Sequence, residues 1–152
     1  MYEELKRVID NSSVLQQGSV GDVVEEWVLA AEKELGLQFP PSYRWWLLNY
    51  GYGFLDGSPL YTIAPPDFKE NADSDIVTVN ENHKKNKMTQ PGRLYFYEPD
   101  GDERFFFDMG NKLSNGDYAV MIDDLISQDV ISYGGDFSIF LKNEIKNRSF
   151  SN

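Results

Sequence analysis

The sequence predicts a single α+β domain over residues 1–152, with a largely antiparallel, mixed sheet and helices packed on it. Helical patterns come early in the 152-residue chain, the strongest strand patterns lie in its second half, and one helical pattern closes it. Helices and strands that are segregated in this way are typical of α+β folds. A chain of this length buries enough surface to fold without disulfides or a structural metal.

The first 18 residues are expected to form an N-terminal helix and a linker. An amphipathic helical pattern covers residues 1–14, with Leu5, Val8 and Ile9 on one side. The Gln-Gln-Gly-Ser segment at 16–19 then reads as the linker.

Two further helices have clear start and stop signals. Asp22 is predicted to cap a helix that runs to Leu35, and Gly36 can adopt the left-handed conformation that ends it. Pro41 suits the first turn of the next helix, which is expected over residues 42–50.

Strand patterns dominate from residue 54 onward. Short strands are expected in 54–63 around an Asp-Gly turn, and a hairpin in 93–108, where two aromatic runs flank Pro-Asp-Gly-Asp. A further strand is expected at 118–122, and the segment 129–133 lies before the last helix. The segment 73–88 fits either a strand or a helix, and the polar run at its end favours a helix.

The last helix is expected over residues 137–146. Asp136 precedes it as a cap, and its apolar side chains fall on one face. Residues 147–152 are expected to form a flexible tail.

Composition excludes several classes of function. The net charge is −11, which repels a phosphate backbone, so nucleic acid is not an expected ligand. Since the chain has no cysteine, it has no thiolate nucleophile, Cys-rich zinc site or disulfide. No apolar stretch has the length of a signal peptide or a membrane span, and a cytoplasmic protein is expected.

No pattern in the chain indicates catalysis, a cofactor or a metal. Phosphate-binding loops, nucleophile elbows and metalloprotease motifs are absent from the sequence. The one histidine, His83, has no catalytic partner in the pattern and is expected to be solvated. The acidic turn at 100–103 is too short for a calcium loop, and the adjacent acids at 123–124 are expected to cap a turn. We therefore predict that the protein is not an enzyme and needs no cofactor.

Charge is concentrated in one region. Residues 98–136 contain ten acidic and two basic residues, a net of −8, interleaved with tyrosines. Such a region is either a solvated face or a surface for a cationic protein partner. The side chains predicted to contact a partner are four aspartates, one glutamate and three tyrosines: Asp100, Asp102, Glu103, Asp123, Asp124, Tyr52, Tyr95 and Tyr97.

Three motifs in order resemble those of the SUKH superfamily. They are Leu-Gly-Leu-Gln-Phe-Pro-Pro-Ser-Tyr with a following Asn-Tyr-Gly-Tyr-Gly, Gly-Asp before an aromatic strand that ends in Asp, and Phe-Ser-Ile-Phe-Leu in the last helix. Each motif residue also has an ordinary structural role as a helix start, a helix stop or a core residue. The motif residues are Leu35, Gly36, Phe39, Pro40, Tyr43, Gly51, Phe107, Asp108, Phe137, Phe140 and Leu141.

The resemblance implies a protein that works by binding another protein. The superfamily includes fungal cell-wall-synthesis regulators and bacterial immunity proteins that dock on secreted polymorphic toxins, often nucleases. We predict an immunity protein of a Gram-positive bacterium that blocks the basic active-site surface of its cognate toxin with an acidic face. The alternative is a regulatory or scaffold module similar to the fungal members, and a carboxylate-based hydrolase is a third hypothesis.

Overall fold

The computed structural model describes residues 1–151, without the side chains of 69–71 and 150–151. The described chain forms one α+β domain with five α-helices and a seven-stranded sheet, which confirms the predicted fold class. The helices are α1 (Glu3–Asp10), α2 (Glu25–Leu35), α3 (Pro41–Tyr50), α4 (Ile76–Lys85) and α5 (Phe137–Ser151), with a 3₁₀ helix at Pro66–Asn71. The strands are β1 (Leu15–Gln17), β2 (Gly53–Leu55), β3 (Ser58–Leu60), β4 (Arg93–Tyr97), β5 (Glu103–Lys112), β6 (Tyr118–Asp124) and β7 (Asp129–Ser132).

The strands lie side by side in the order of the sequence. All six neighbouring pairs are antiparallel, so the sheet is a simple meander with β1 and β7 at its edges. The sequence predicted a largely antiparallel, mixed sheet; the antiparallel pairing is confirmed, and the one parallel bridge in the described chain joins Thr62 to Asp75 outside the named strands. Short connections join β2 to β3 and link β4 to β7 in succession, whereas α2 and α3 lie between β1 and β2, and α4 lies between β3 and β4.

An aromatic core fills the space between the sheet and the helices. The rings of Phe96 in β4 and Phe107 in β5 are stacked with centroids 4.2 Å apart. Phe137 and Phe140 of α5 meet Phe96 edge-on at 5.6 and 5.0 Å, and Tyr43 of α3 lies 5.5 Å from Phe107. All five side chains are fully buried, so α3 and α5 are held on the sheet mainly by these ring contacts.

The opposite face of the sheet is closed by arginine side chains. Tyr95 and Phe106 point to this face and are buried. The guanidinium carbon of Arg104 lies 4.3 Å from the centroid of the Tyr95 ring, and that of Arg93 lies 4.5 Å from the centroid of Phe106. Cation–π contacts and the aliphatic stems of the arginines therefore cover rings that would otherwise meet water.

An asparagine side chain completes the hydrogen bonding of β4. Strands β3 and β4 are paired only at Leu60 and Tyr97, which leaves the edge of β4 open near Tyr95. There the amide of Asn80 in α4 accepts from the backbone N–H of Tyr95 (2.8 Å) and donates to its carbonyl (2.9 Å). The carboxamide thus makes the two bonds that a neighbouring strand would make.

Most of the predicted helix and strand boundaries are confirmed. Gly36 ends α2 with φ +71°, and Pro41 begins α3. The ambiguous segment 73–88 contains α4, whose N-cap Asp75 accepts from the N–H of Thr78 (2.9 Å). Asp136 caps α5 by accepting from the N–H of Ile139 (3.0 Å). The ends of these helices are therefore set by capping and helix-stop residues that act on their neighbours in the chain.

The N-terminal predictions were partly wrong. Helix α1 ends at Asp10, because the hydroxyl of Ser12 accepts from the N–H groups of Val14 and Leu15 and turns the chain into β1. The predicted linker therefore begins as a strand. Asp22 does not cap α2; its carboxylate accepts from the N–H of Ser19 instead (2.8 Å), and α2 begins at Glu25.

The predicted tail is helical as far as Ser151, and Asn152 lies outside the described residues. The carboxylate of Glu144 is 3.3 Å from the guanidinium of Arg148, which also lies 3.3 Å from the carboxylate of Asp56 in the β2–β3 turn. The hydroxyl of Ser149 donates to the carbonyl of Ile145. These contacts support helix beyond residue 146, where the apolar pattern ends.

Replacing Asn80 with alanine should destabilise the fold strongly. The change leaves the buried N–H and carbonyl of Tyr95 without partners, and we expect a loss of about 3 kcal/mol in the free energy of unfolding. Urea denaturation measures it. Asn82→Ala, on the exposed side of the same helix, is the matched control and should cost less than about 0.5 kcal/mol. Equal losses for both variants would show that the amide bridge is unimportant.

Candidate protein-binding surface

The acidic residues of the region 98–136 divide into internal and surface groups. Asp117 and Asp136 are buried, and Asp117 accepts from the N–H of Ser42 at the start of α3 (3.0 Å). Burial raises the pKa of Asp117, although hydrogen bonds from Ser42 and Tyr118 oppose the effect. These carboxylates hold helix ends and turns, and they add little to the charge of the surface.

Three surface acids form a row across neighbouring strands, which we call the acidic row. Glu103 at the start of β5 is directly opposite Asp124 in β6, and Asp124 is directly opposite Asp129 in β7. Side chains that are directly opposite in an antiparallel pair share a face and lie about 5 Å apart at Cβ. Like charges in this position are destabilising, so the row costs the fold stability.

The pKa of Glu103 is raised, first because the side chain is partly buried. The negative charges of Asp100, Asp124, Glu144 and Asp102 raise it further, and of these Asp124 belongs to the row. A raised carboxyl pKa means that the ionised form is disfavoured in the folded protein. A cation placed beside the row would relieve this repulsion.

Two turns extend the acidic row at the same end of the sheet. In the turn before β5, one carboxylate oxygen of Asp100 accepts from the N–H groups of Asp102 (2.8 Å) and Glu103 (3.3 Å). The carbonyl of Asp102 accepts from the N–H of Leu125 in the next turn (2.8 Å). Asp100, Asp102 and the acidic row therefore belong to one continuous patch.

Asp124 has a second role in the turn between β6 and β7. One of its carboxylate oxygens accepts from the N–H groups of Ile126 (3.0 Å) and Ser127 (3.1 Å). The prediction that the acidic pair at 123–124 caps a turn is thus confirmed for Asp124. Its other oxygen keeps the charge at the surface.

Asp123 was predicted as a surface contact, but it belongs to an internal ion pair. One of its carboxylate oxygens lies 2.8 Å from the guanidinium of Arg104, accepts from the hydroxyl of Tyr95 (3.3 Å), and is 3.5 Å from Arg93. The side chain of Asp123 is 15% exposed. Adjacent residues of a strand point to opposite faces, so Asp123 and Asp124 cannot serve the same surface.

Two of the three predicted aromatic anchors are also corrected. Tyr95 and Tyr97 are fully buried, Tyr95 under Arg104 and Tyr97 within the helix-side core, where burial raises its pKa to about 12. They cannot contact a partner in this fold. Tyr52 is exposed and packs edge-on against Phe54, but it precedes β2, which two strands separate from β5. The structure does not bring Tyr52 to the acidic row.

His83 was predicted to be solvated, and it is largely enclosed. Its Nε2 lies 2.7 Å from a carboxylate oxygen of Glu98, which also accepts from the hydroxyl of Tyr61 (2.9 Å). The ring meets Tyr95 edge-on at 5.3 Å, and the side chain is 14% exposed. The sequence could not reveal this partner, because Glu98 lies fifteen residues further along the chain, directly after β4, and only the fold brings it to the ring.

Sequence reasoning missed an exposed apolar group beside the acidic row. Val130 and Ile131 in β7 are 46% and 44% exposed, and Leu125 and Ile126 in the preceding turn are 42% and 75% exposed. All four residues of β7 are exposed. The signal was present in the sequence as a Leu-Ile pair in a loop and a short apolar strand. Exposed apolar side chains concentrated on an edge strand and the turn before it are typical of interaction sites.

No site for a metal stands out in the described part of the chain, where no three acidic or histidine side chains are arranged to hold an ion. A cleft of about 570 Å³ lies between the ends of α2 and α4 and the start of β4. Its lining mixes apolar residues such as Leu35, Leu94 and Met109 with charges of both signs.

None of the helices in the described residues is long and apolar enough to span a membrane.

Comparison with known families gives one match. A family model of the SUKH group, SUKH_6, described as SMI1-KNR4 cell-wall, matches residues 25–141. The match covers more than half of the chain and contains α2 to the first turns of α5, with every strand from β2 to β7. No curated protein gives a significant match.

Replacing Asp123 with alanine should destabilise the protein. The change leaves the guanidinium of Arg104 buried without its carboxylate, and breaking a buried pair from one side costs about 3 kcal/mol. Chemical denaturation measures the loss. Asp102→Ala, a change at an exposed aspartate of the acidic patch, should alter stability by less than about 0.5 kcal/mol. A neutral effect of Asp123→Ala would return this residue to the set of surface contacts.

Replacing Glu103 with glutamine should stabilise the protein at neutral pH, by about 0.5 kcal/mol. Because the folded-state pKa of Glu103 is raised, its ionisation costs stability as pH rises through that value. The gain should therefore be present at pH 7 and vanish as pH falls below the ordinary glutamate value of 4.5. Thermal unfolding across this pH range measures it, with Glu81→Gln on α4 as the control. A gain that does not depend on pH would show that it does not come from the ionisation of Glu103, which burial and the neighbouring carboxylates disfavour.

Proposed function

Since this chain belongs to the SUKH family, which includes toxin immunity proteins and SMI1/KNR4 regulators, we propose that it is an immunity protein that neutralises a cognate secreted toxin. The observation that carries the proposal is the acidic row with the two acidic turns beside it. The protein retains like charges directly opposite each other at a cost in stability, and such a cost is typical of a functional surface.

The acidic row indicates the chemistry of the partner. A basic surface that meets Glu103, Asp124 and Asp129 would exchange their mutual repulsion for attraction. Nucleases have basic surfaces where they bind the phosphate backbone, so an acidic protein can occupy the substrate site. We therefore propose a bacterial nuclease toxin as the partner, bound in the cytoplasm and inhibited by occlusion of its active site. The proposed contacts are Asp100, Asp102, Glu103 and Asp124, with Asp129 added.

A growth assay tests the proposal. The basic C-terminal domain of a secreted protein encoded beside this gene is expressed with and without the chain, and a tagged copy of the domain is used to recover the complex. Immunity requires both rescue of growth and a stable complex. Neither result would be seen if the chain had no toxin partner.

The second candidate is a regulatory or scaffold module. The description of the matching family model, SMI1-KNR4 cell-wall, favours it. Such a module would bind a host protein and would not rescue growth from the toxin domain. Recovery of the same host protein by tagged chain, without rescue, is the result that would select this function.

Charge reversal at one residue of the acidic row and one residue of the adjoining turn should slow association with the toxin. In the double variant Asp102→Lys and Asp129→Lys, the association rate constant at low salt should fall on the order of tenfold, and its dependence on salt should become weaker. Both side chains are exposed, so the fold should be retained. Stopped-flow or surface-based kinetics at several ionic strengths measures the rates.

The matched control makes the same charge change elsewhere. The double variant Glu26→Lys and Glu81→Lys alters exposed positions on α2 and α4 and has an identical net charge. Its association rate should fall much less. Equal reductions in both variants would show that net charge alone steers association and would remove the acidic row from the interface.

A further inference from the structure

We infer that the toxin contributes a β-strand that pairs with β7 and extends the sheet. The inference rests on the proposed function and adds to it the mode of binding. Strand β7 is the last strand of the sheet and has β6 as its only neighbour among the described residues. A strand with one open side presents unpaired N–H and carbonyl groups to any chain that approaches.

The register shows which backbone groups of β7 are open. The N–H of Tyr133, directly after β7, donates to the carbonyl of Val120 in β6, so the backbone of Tyr133 faces β6. Hydrogen-bonding groups alternate in direction along an antiparallel strand. The groups of Asp129 and Ile131 therefore face β6 as well, and those of Val130 and Ser132 point outward. Two residues thus offer two donors and two acceptors to an added strand.

The exposed side chains of β7 suit a paired strand. Val130 shares a face with its partner Asp123, and Ile131 shares the other face with its partner Ile122. An added strand would place side chains next to both, covering apolar surface on each side of the sheet. The opposite edge differs: β1 buries Leu15, and the strand exposes only polar side chains. The two edges are therefore unequal, and β7 is the one equipped for a partner.

Charge selects the occupant of this edge. Asp129 is both the last member of the acidic row and the first residue of β7. A strand paired with β7 would therefore lie beside the row, and lysine or arginine at that position would favour binding. A second copy of the chain would bring another net charge of −11 and a second acidic row to the same edge. Pairing of β7 with β7 of a second copy is therefore disfavoured, and a basic strand of the toxin is the occupant.

The decisive variant is Val130→Pro, compared with Val130→Thr. Proline removes the outward N–H of residue 130 and leaves the pairing of β7 with β6, since proline is tolerated in edge strands where its nitrogen faces outward. Threonine keeps the N–H and the branched shape. Binding to the toxin domain used in the growth assay is measured by calorimetry, and unfolding temperatures verify that both variants are folded.

Strand pairing predicts that Val130→Pro weakens binding about tenfold to a hundredfold while Val130→Thr changes it less than about threefold. Equal losses would indicate a side-chain contact without strand pairing, and unchanged affinity in both would place the interface elsewhere; either result overturns the inference and leaves the immunity function standing. If the wild-type chain does not bind the toxin domain, the function and the inference fail together. Binding that depends on the concentration of a chain dimer would identify a second copy at this edge and also overturn the inference.

Amide hydrogen exchange of the wild-type chain supplies a second measurement, which holds even if Val130→Pro does not fold. In the free protein the amides of Val130 and Ser132 should exchange quickly, because they point to solvent. In the complex both should slow, on the order of tenfold or more, while the amide of Ile131 changes little. Unchanged exchange at Val130 and Ser132 in a formed complex would overturn strand pairing.

Discussion

The stacked pair of Phe96 and Phe107 is the contact on which the rest of the structure depends. It joins the two central strands, and it supplies the surface on which Phe137 of α5 packs edge-on and Tyr43 of α3 packs at a tilt. Since the two rings come from a single hairpin, the register of β4 and β5 also sets the positions of Arg104 and Glu103. The acidic row is thus aligned by a core contact on the same strands.

One face of β5 carries side chains that stabilise the fold, and the other carries a side chain of the proposed binding surface. On one face Arg104 pairs with Asp123 and covers Tyr95, so the positive charge of Arg104 is neutralised inside the protein. Glu103, the preceding residue, points to the other face and takes part in a repulsive row. The acidic patch therefore remains uncompensated although a strong cation lies one residue away. This arrangement explains how a surface of one sign can be kept on a sheet that contains both signs.

Local chemistry in the sequence was enough to predict the fold, and it was not enough to predict the site. Gly36, Pro41 and the capping residue Asp136 act on their own neighbours, so their effects could be inferred from spacing. The positions of Asp123 and Tyr95 depend on partners on other strands, which the sequence does not reveal. In addition, both faces of the central hairpin are buried, so apolar and polar residues do not alternate along its strands as they would if one face met water. The acidic row cannot be predicted without the register of three strands, because Asp124 and Asp129 are separated by a turn whose length determines which residues pair.

The position of α5 has a consequence for the order of folding. Strands β4 to β6 can pair as soon as they are synthesised, because the meander places each strand beside its predecessor. The rings of Phe96, Phe105 and Phe107 are nevertheless only partly covered until Phe137 and Phe140 pack on them from the last helix, which also packs against α1. A nascent chain that lacks α5 therefore exposes an aromatic sheet face, and such faces are prone to aggregate. The core is thus complete only when α5, the last helix of the described chain, has packed on the sheet that carries the edge strand.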